Sequence, residues 1–218
     1  MTIRDDENSS MLPIEVNGLK LESKCFYFDS VKYFYKDIIG VLYTVVYGSY
    51  NFVPYTTVKL QLRLSDHQKI KLKLNKNLFN KKKIPILMNC GEILKNGTVK
   101  NRGNYYVNKL ITDGYIDYKF NSGNIRIPST VRIYANGIIE KGNTKINIKK
   151  AKESGVLLYG TTLEGLVSWK FHHTNPNEIA ISENKDALYI TALRINAEWD
   201  NDIIFWLFEQ FSRGVVFT

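Results

Sequence analysis

Between Val58 and Leu74 the chain alternates apolar and polar residues, broken only by Ser65-Asp66-His67-Gln68. Val58, Leu60, Leu62 and Leu64 fall on one side of the first run, with Lys59, Gln61 and Arg63 on the other. Beyond the break, Ile70, Leu72 and Leu74 resume the alternation against Lys69, Lys71 and Lys73. Side chains along a strand point to opposite faces in turn, so this pattern specifies two antiparallel strands with one dry face and one cationic face. A helix would scatter the same apolar residues around its circumference.

Strand signals dominate the rest of the chain. Asn17-Gly18 separates Ile14 and Val16 from Leu19 and Leu21, a pairing that tolerates the positive φ of a type I′ hairpin turn. Cys25–Phe28 and Val31–Tyr35 are rich in aromatics, and Gly40–Tyr47 in β-branched and aromatic residues. Ile84, Leu87, Met88, Ile93 and Leu94 are spaced for a helix that Pro85 and Gly91 should weaken or break. A second short helix is expected over Tyr105–Ile111, capped by Asn104 and ended by Asp113-Gly114. Strands are then expected at Tyr115–Phe120, Asn124–Ile127, Thr130–Tyr134, Ile138–Ile139, Lys145–Ile148, Gly155–Tyr159, Leu166–Phe171, Glu178–Ser182 and Ala187–Leu193. The last element reads as a helix from a capping Asp200 through Phe211, stopped by Gly214.

The two halves share an order of elements. Val16–Leu19 (VNGL) is matched by Ala135–Ile138 (ANGI), and Gly40–Tyr43 (GVLY) by Gly155–Leu158 (GVLL). The first pair of motifs lies 22 residues apart, Gly18 to Gly40, and the second 18, Gly137 to Gly155. The two sets are offset by 119 residues, Gly18 to Gly137, a period too long for a solenoid repeat that points to tandem domains. A meander closed by a C-terminal helix and used twice resembles the pleckstrin-homology-like superfold, in particular tandem bacterial pleckstrin-homology-like domain proteins. The resemblance is carried by Gly114–Phe211, with VRIYANGIIEKGNTKINIKKAKESGVLLYG and the helix DNDIIFWLFEQF. Where the family commonly has a Trp-x-x-Ile contact, this chain reads Ile148-Lys149-Lys150-Ala151. The resemblance implies a mostly β fold: two tandem pleckstrin-homology-like antiparallel barrels, each closed by a helix. The expected division is a tail over residues 1–10, a first domain with a helical linker over 11–113, and a second domain over 114–218. Such folds host many functions, so the fold leaves function open. Residues 14–36 lack the Lys/Arg pattern by which family members grip phosphoinositides, and no such site is expected here.

Charge singles out one stretch. The chain carries +9, and Lys59, Arg63, Lys69, Lys71, Lys73, Lys76, Lys81, Lys82 and Lys83, offset only by Asp66, supply +8 of it. Like charges opposite one another on a sheet repel, so these cations need either ample water or an anionic partner. A solvated face whose lysines discourage edge pairing is the plain reading. The functional reading is a non-enzymatic interaction module that engages a protein partner with an acidic surface through this basic meander. The alternative is peripheral binding of an anionic lipid surface or nucleic acid by the same cations. Nucleic acid ranks lower, because Tyr27, Tyr33, Tyr35, Tyr43, Tyr47, Tyr50 and Tyr55 precede the lysines instead of interleaving with them.

Other chemistry lacks a constellation. Adjacent His172 and His173 on a strand would point to opposite faces and chelate one metal poorly, and His67 sits in a turn. Cys25 and Cys90 read as core thiols, too few for a disulfide framework or a zinc module. Neither a phosphate loop nor a dinucleotide fingerprint occurs. Asp5-Asp6 lies in the tail, and Asp200 and Asp202 begin a helix, where acids complement the dipole. No catalytic residue, metal or cofactor is expected. The opening MTIRDDENSS lacks the basic-then-apolar order of a secretory signal, and Ile38–Val46 falls short of the ~20 residues of a membrane span. A cytoplasmic protein with reduced thiols is the expectation. With 44% hydrophobic and 23% charged residues, the chain has the composition of a folded protein.

Overall fold

The Asn17-Gly18 turn forms as expected, with φ of 47° and 78°, and joins β1 (Ile14–Val16) to β2 (Leu19–Leu21). A second tight turn, with φ of 48° at Asp29 and 70° at Ser30, joins β3 (Cys25–Phe28) to β4 (Val31–Phe34) without a glycine. Asp is among the residues that tolerate this conformation. The computed structural model describes residues 12–50, 53–75, 80–121, 128–154, 157–159, 178–181, 193–196 and 199–218. The chain divides into two compact units, Met1–Asn104 and Tyr105–Thr218, the division falling inside a helix of the expected linker.

In the first unit, β1 to β4 form an antiparallel sheet in sequence order. A 3-10 turn at Tyr35–Asp37 leads to a second antiparallel sheet of β5 (Ile38–Tyr50), β6 (Val53–Leu64) and β7 (Lys69–Asn75). The two sheets and α1 (Lys83–Gly97) share one core, in which Leu19, Leu21 and Phe26 meet Leu60, Leu62, Leu64, Leu87 and Leu94. α1 is unbroken. Pro85 is its third residue, where the amide lacks an intrahelical acceptor anyway. Gly91 faces the Tyr43 ring of β5, and a Cβ there would overlap it. The residue expected to weaken the helix instead lets it approach the sheet.

α2 runs over Val99–Asp113, beginning six residues ahead of the expected start and enclosing Asn104, the expected cap. The reason lies at the junction. Arg102 is fully buried; its Nε donates to Thr98 Oγ1 (3.0 Å) and its Nη2 to the Lys95 carbonyl (2.6 Å). Its backbone N–H donates to the Thr98 carbonyl (3.0 Å), which extends the helix to that point. A cation on the last carbonyls of α1 satisfies acceptors that the helix itself leaves open.

The second unit opens with the antiparallel sheet β8 (Tyr115–Asn121), β9 (Pro128–Tyr134), β10 (Ile138–Lys141) and β11 (Thr144–Asn147). The alternation expected through Ile148 stops one residue short. Asn147 accepts from the Lys150 amide (3.1 Å) and caps α3 (Ile148–Glu153), which keeps Ile146 and Ile148 buried alike. β12 (Leu157–Tyr159), β13 (Glu178–Ile181) and β14 (Leu193–Asn196) form a three-stranded antiparallel sheet, and α4 (Asn201–Ser212) follows. Asp200 precedes α4 in a left-handed conformation, but its side chain does not cap the helix. It accepts a hydrogen bond from Tyr106 Oη (2.8 Å), and its backbone carbonyl receives the first helical amides. Gly214, at φ 84°, ends α4. The strands expected at Asn124–Ile127, at Leu166–Phe171 and over 187–192, and His172 and His173, lie outside the described residues.

The fold is therefore mostly β, in antiparallel sheets with helices; among the described residues the first unit runs four-stranded sheet, three-stranded sheet, α1, and the second four-stranded sheet, α3, three-stranded sheet, α4. The expected barrels do not close among the described residues. In the first unit both sheets bury their apolar faces in the shared core, so burial does not require their edges to join. One backbone link recurs: the amide eleven residues after the turn glycine donates to that glycine's carbonyl, Asp29 to Gly18 and Ile148 to Gly137, both at 3.0 Å.

Two glycines predict opposite responses to the same substitution. Gly91→Ala should lower unfolding stability by about 1–3 kcal/mol, because α1 must withdraw from Tyr43. Gly103→Ala, in α2 with nothing near its Cβ position, should raise it by about 0.5–1 kcal/mol. Urea denaturation of both variants checks the pair.

Candidate binding face on the β6–β7 meander

Pairing register sets the geometry of this face. Lys59 lies directly opposite Lys73, Gln61 opposite Lys71, and Arg63 opposite Lys69. The Leu64 amide donates to the Gln68 carbonyl (3.0 Å), so the alternation of antiparallel pairs makes Leu62/Ile70, Leu60/Leu72 and Val58/Leu74 the hydrogen-bonded ones. The lysines occupy the other pairs, in which facing side chains come closest. Lys59, Lys69, Lys71 and Lys73 are exposed. The structure thus gathers five of the nine expected cations on one face, four of them exposed lysines, with like charges at the shorter cross-strand spacing.

Arg63 behaves differently. Its cross-strand neighbour on β5 is Gly40, next to a bulge that leaves Ile39 unmatched. The guanidinium lies over Gly40 where a side chain would otherwise stand, and Arg63 is only half-exposed. Lys81, Lys82 and Lys83 lie elsewhere, at the start of α1, whose core residues pack against the apolar face of the same sheet. Lys83 Nζ donates to Asn17 Oδ1 in the β1–β2 turn (3.0 Å). Lys76 lies outside the described residues. Sequence reasoning treated the nine as one surface, and a helix start within the run divides them.

The acid nearest in sequence is engaged within its own turn. Asp66, in the β6–β7 turn, accepts from the Gln68 amide (3.0 Å). Among the described residues, no carboxylate forms an ion pair with Lys59, Lys69, Lys71, Lys73, Lys81 or Lys82. The polar side of β5 adds Gly40, Leu42, Thr44 and Val46, so positive charge is concentrated toward β7.

The β8–β11 sheet shows the opposite solution. Asp117, Arg132, Glu140 and Lys145 stand in one cross-strand row with alternating sign. Asp117 receives both Arg132 Nε (2.7 Å) and Nη2 (3.0 Å), and the guanidinium stacks 4.0 Å from the centre of the Tyr115 ring. Tyr134 Oη donates to Glu140 (2.6 Å), which also pairs with Lys145 (3.2 Å). The bidentate hydrogen bonds from Arg132 hold the Asp117 carboxyl below its ordinary range; those from Tyr134 and Lys145 do the same for Glu140.

Elsewhere, Cys25 and Cys90 are buried free thiols, and burial pushes the Cys90 thiol up to about 12. Among the described residues, no three His, Cys, Asp or Glu side chains gather as a metal site would require, and no helix is long and apolar enough to cross a membrane. Comparison with protein-family models, with curated proteins and with solved structures found no match.

Two measurements follow from the contrast. Lys73→Glu places an acid opposite Lys59 and should raise stability by about 0.2–1 kcal/mol at low salt. The gain should shrink in thermal melts at high ionic strength, because the pair is exposed. The acids of the β8–β11 row predict a pH effect. Their folded pKa values lie below the unfolded ones, so their contribution is complete above the ordinary carboxyl values of 3.8 and 4.5. It disappears as the pH falls through the lowered folded values. Unfolding midpoints followed downward from neutral pH should fall less steeply for Asp117→Asn/Glu140→Gln than for the parent chain.

Proposed function

We infer that this chain is a non-enzymatic interaction module whose β6–β7 face binds a protein partner through an acidic surface. The observation that carries the reading is the direct opposition of Lys59 and Lys73, flanked by Lys69 and Lys71, without a carboxylate pairing among the described residues. An acidic partner supplies what the chain omits: its carboxylates convert cross-strand repulsion into attraction and steer the approach. The resemblance to tandem pleckstrin-homology-like domains agrees with an adaptor role. The shared order of sheets and helix, and the eleven-residue link from each turn glycine, support descent of both units from one such domain.

Nucleic acid fits the face less well. Among the described residues on the polar side of β5, β6 and β7, the exposed ring is Tyr55, beyond Thr57 at one end of the face, and no series of rings interleaves with Lys59, Lys69, Lys71 and Lys73 for successive bases to stack on.

The test uses poly-L-glutamate as the acidic polypeptide, set beside phosphatidylserine vesicles and a single-stranded oligonucleotide. Poly-L-glutamate should be retained at low salt, released as salt rises, and weakened roughly tenfold or more by Lys69→Glu/Lys71→Glu/Lys73→Glu. Circular dichroism should show the triple variant folded. Retention of vesicles or oligonucleotide in preference to poly-L-glutamate overturns the protein-partner reading.

A further inference from the structure

We propose that the free edge of β7 accepts an extended acidic segment as a fourth strand, with carboxylates at every second position set against Lys69, Lys71 and Lys73. The proposal rests on the binding reading above and adds how the partner docks.

Three observations meet at this edge. First, β7 ends the order β5-β6-β7, and among the described residues β6 is its only partner strand. Second, the hydrogen-bonded pairs with β6 run through Ile70, Leu72 and Leu74, as the Leu64–Gln68 bond requires. The backbone N–H and C=O groups of Lys69, Lys71 and Lys73 therefore point outward, away from β6. Third, these are the residues whose side chains are cationic and exposed.

Strand addition joins the two properties. A residue that exchanges backbone hydrogen bonds with Lys71 lies directly across from it and directs its side chain to the same face. The residues opposite Lys69, Lys71 and Lys73 would thus be the alternate residues of the incoming segment, and acids there would meet all three ammonium groups. The intervening residues would fall on the side of Ile70, Leu72 and Leu74, whose apolar side chains continue into the core. The favoured sequence is acid-apolar-acid-apolar-acid, with β-branched residues at the apolar positions. Lysines on an edge also repel the same edge of a second copy. One set of residues therefore excludes self-pairing and selects an acidic strand.

The probe is a labelled synthetic peptide alternating Glu with Val and Thr, titrated against the full chain by fluorescence anisotropy. Two controls accompany it: the same composition with its acids in one block, and the alternating peptide with N-methyl groups on the amides that would face β7. The alternating peptide should bind about tenfold or more tighter than either control. On binding, the backbone amides of Lys69, Lys71 and Lys73 should become protected from hydrogen exchange. Equal binding of all three peptides, with those amides still exchanging, overturns strand addition and leaves charge-driven binding intact. If neither these peptides nor poly-L-glutamate binds at low salt, the acidic-partner reading falls as well.

Discussion

The buried side of the β5–β7 sheet governs what its other side can be. Val58, Leu60, Leu62 and Leu64 on β6, and Ile70, Leu72 and Leu74 on β7, are all at most 8% exposed. Burying each such side chain is worth about 1.5–3 kcal/mol, whereas a like-charge pair across strands costs about 0.2–1 kcal/mol. The core term dominates. A slip of one residue would relieve some repulsion only by turning lysines inward, so the register holds with Lys59 facing Lys73. The cationic face is thus a consequence of the core pattern together with the choice of lysine at the remaining positions. Many polar residues would satisfy the pattern, and lysine at four exposed positions is the part that the core does not explain.

The same core decides how α1 is placed within the first unit. Gly91 allows α1 to lie against Tyr43, and Arg102 ties the last turn of α1 to the first of α2 through Thr98 and Lys95. A buried arginine is costly unless its donors find acceptors, and the open carbonyls at a helix end supply them. Local packing explains why a segment with Pro, Gly and a plausible mid-segment cap forms two full helices. Helix propensity is worth tenths of a kcal/mol per residue, and tertiary contacts override it.

Features repeating at the period of a strand were readable from residues alone: the β6–β7 meander, the outward placement of Lys59, Lys69, Lys71 and Lys73, and the Asn17-Gly18 turn. So were the glycine stops after α2 and α4. What escaped was set by neighbours distant in sequence. Arg63 lies over Gly40 because a bulge at Ile39 places a residue without a side chain beside it. Asp200 looks like a cap until Tyr106, ninety-four positions away, claims its carboxylate. Lys81–Lys83 continue the charge run in sequence but open a helix in space, and α3 hides within an apolar alternation that its first residue completes. The turn at Asp29-Ser30 lacked the glycine that marks its counterpart.

The two four-strand and three-strand arrangements show that this chain can neutralise a polar sheet face when its residues are chosen for that. In the β8–β11 row, Asp117, Arg132, Glu140 and Lys145 alternate in sign from strand to strand, and each charge has an opposite neighbour in register. In the β5–β7 rows, the same positions read Thr44, Lys59, Lys73 and Leu42, Gln61, Lys71. A single acid at position 44 or 61 would have answered the lysines, at no cost to the core, since both side chains lie on the polar side of the sheet. Solubility alone would be served equally by mixed charges. A face kept at one sign, bordered by outward-pointing backbone groups at the same residues, is instead what complementarity to an acidic chain requires, and the balanced row shows that strand geometry did not impose it.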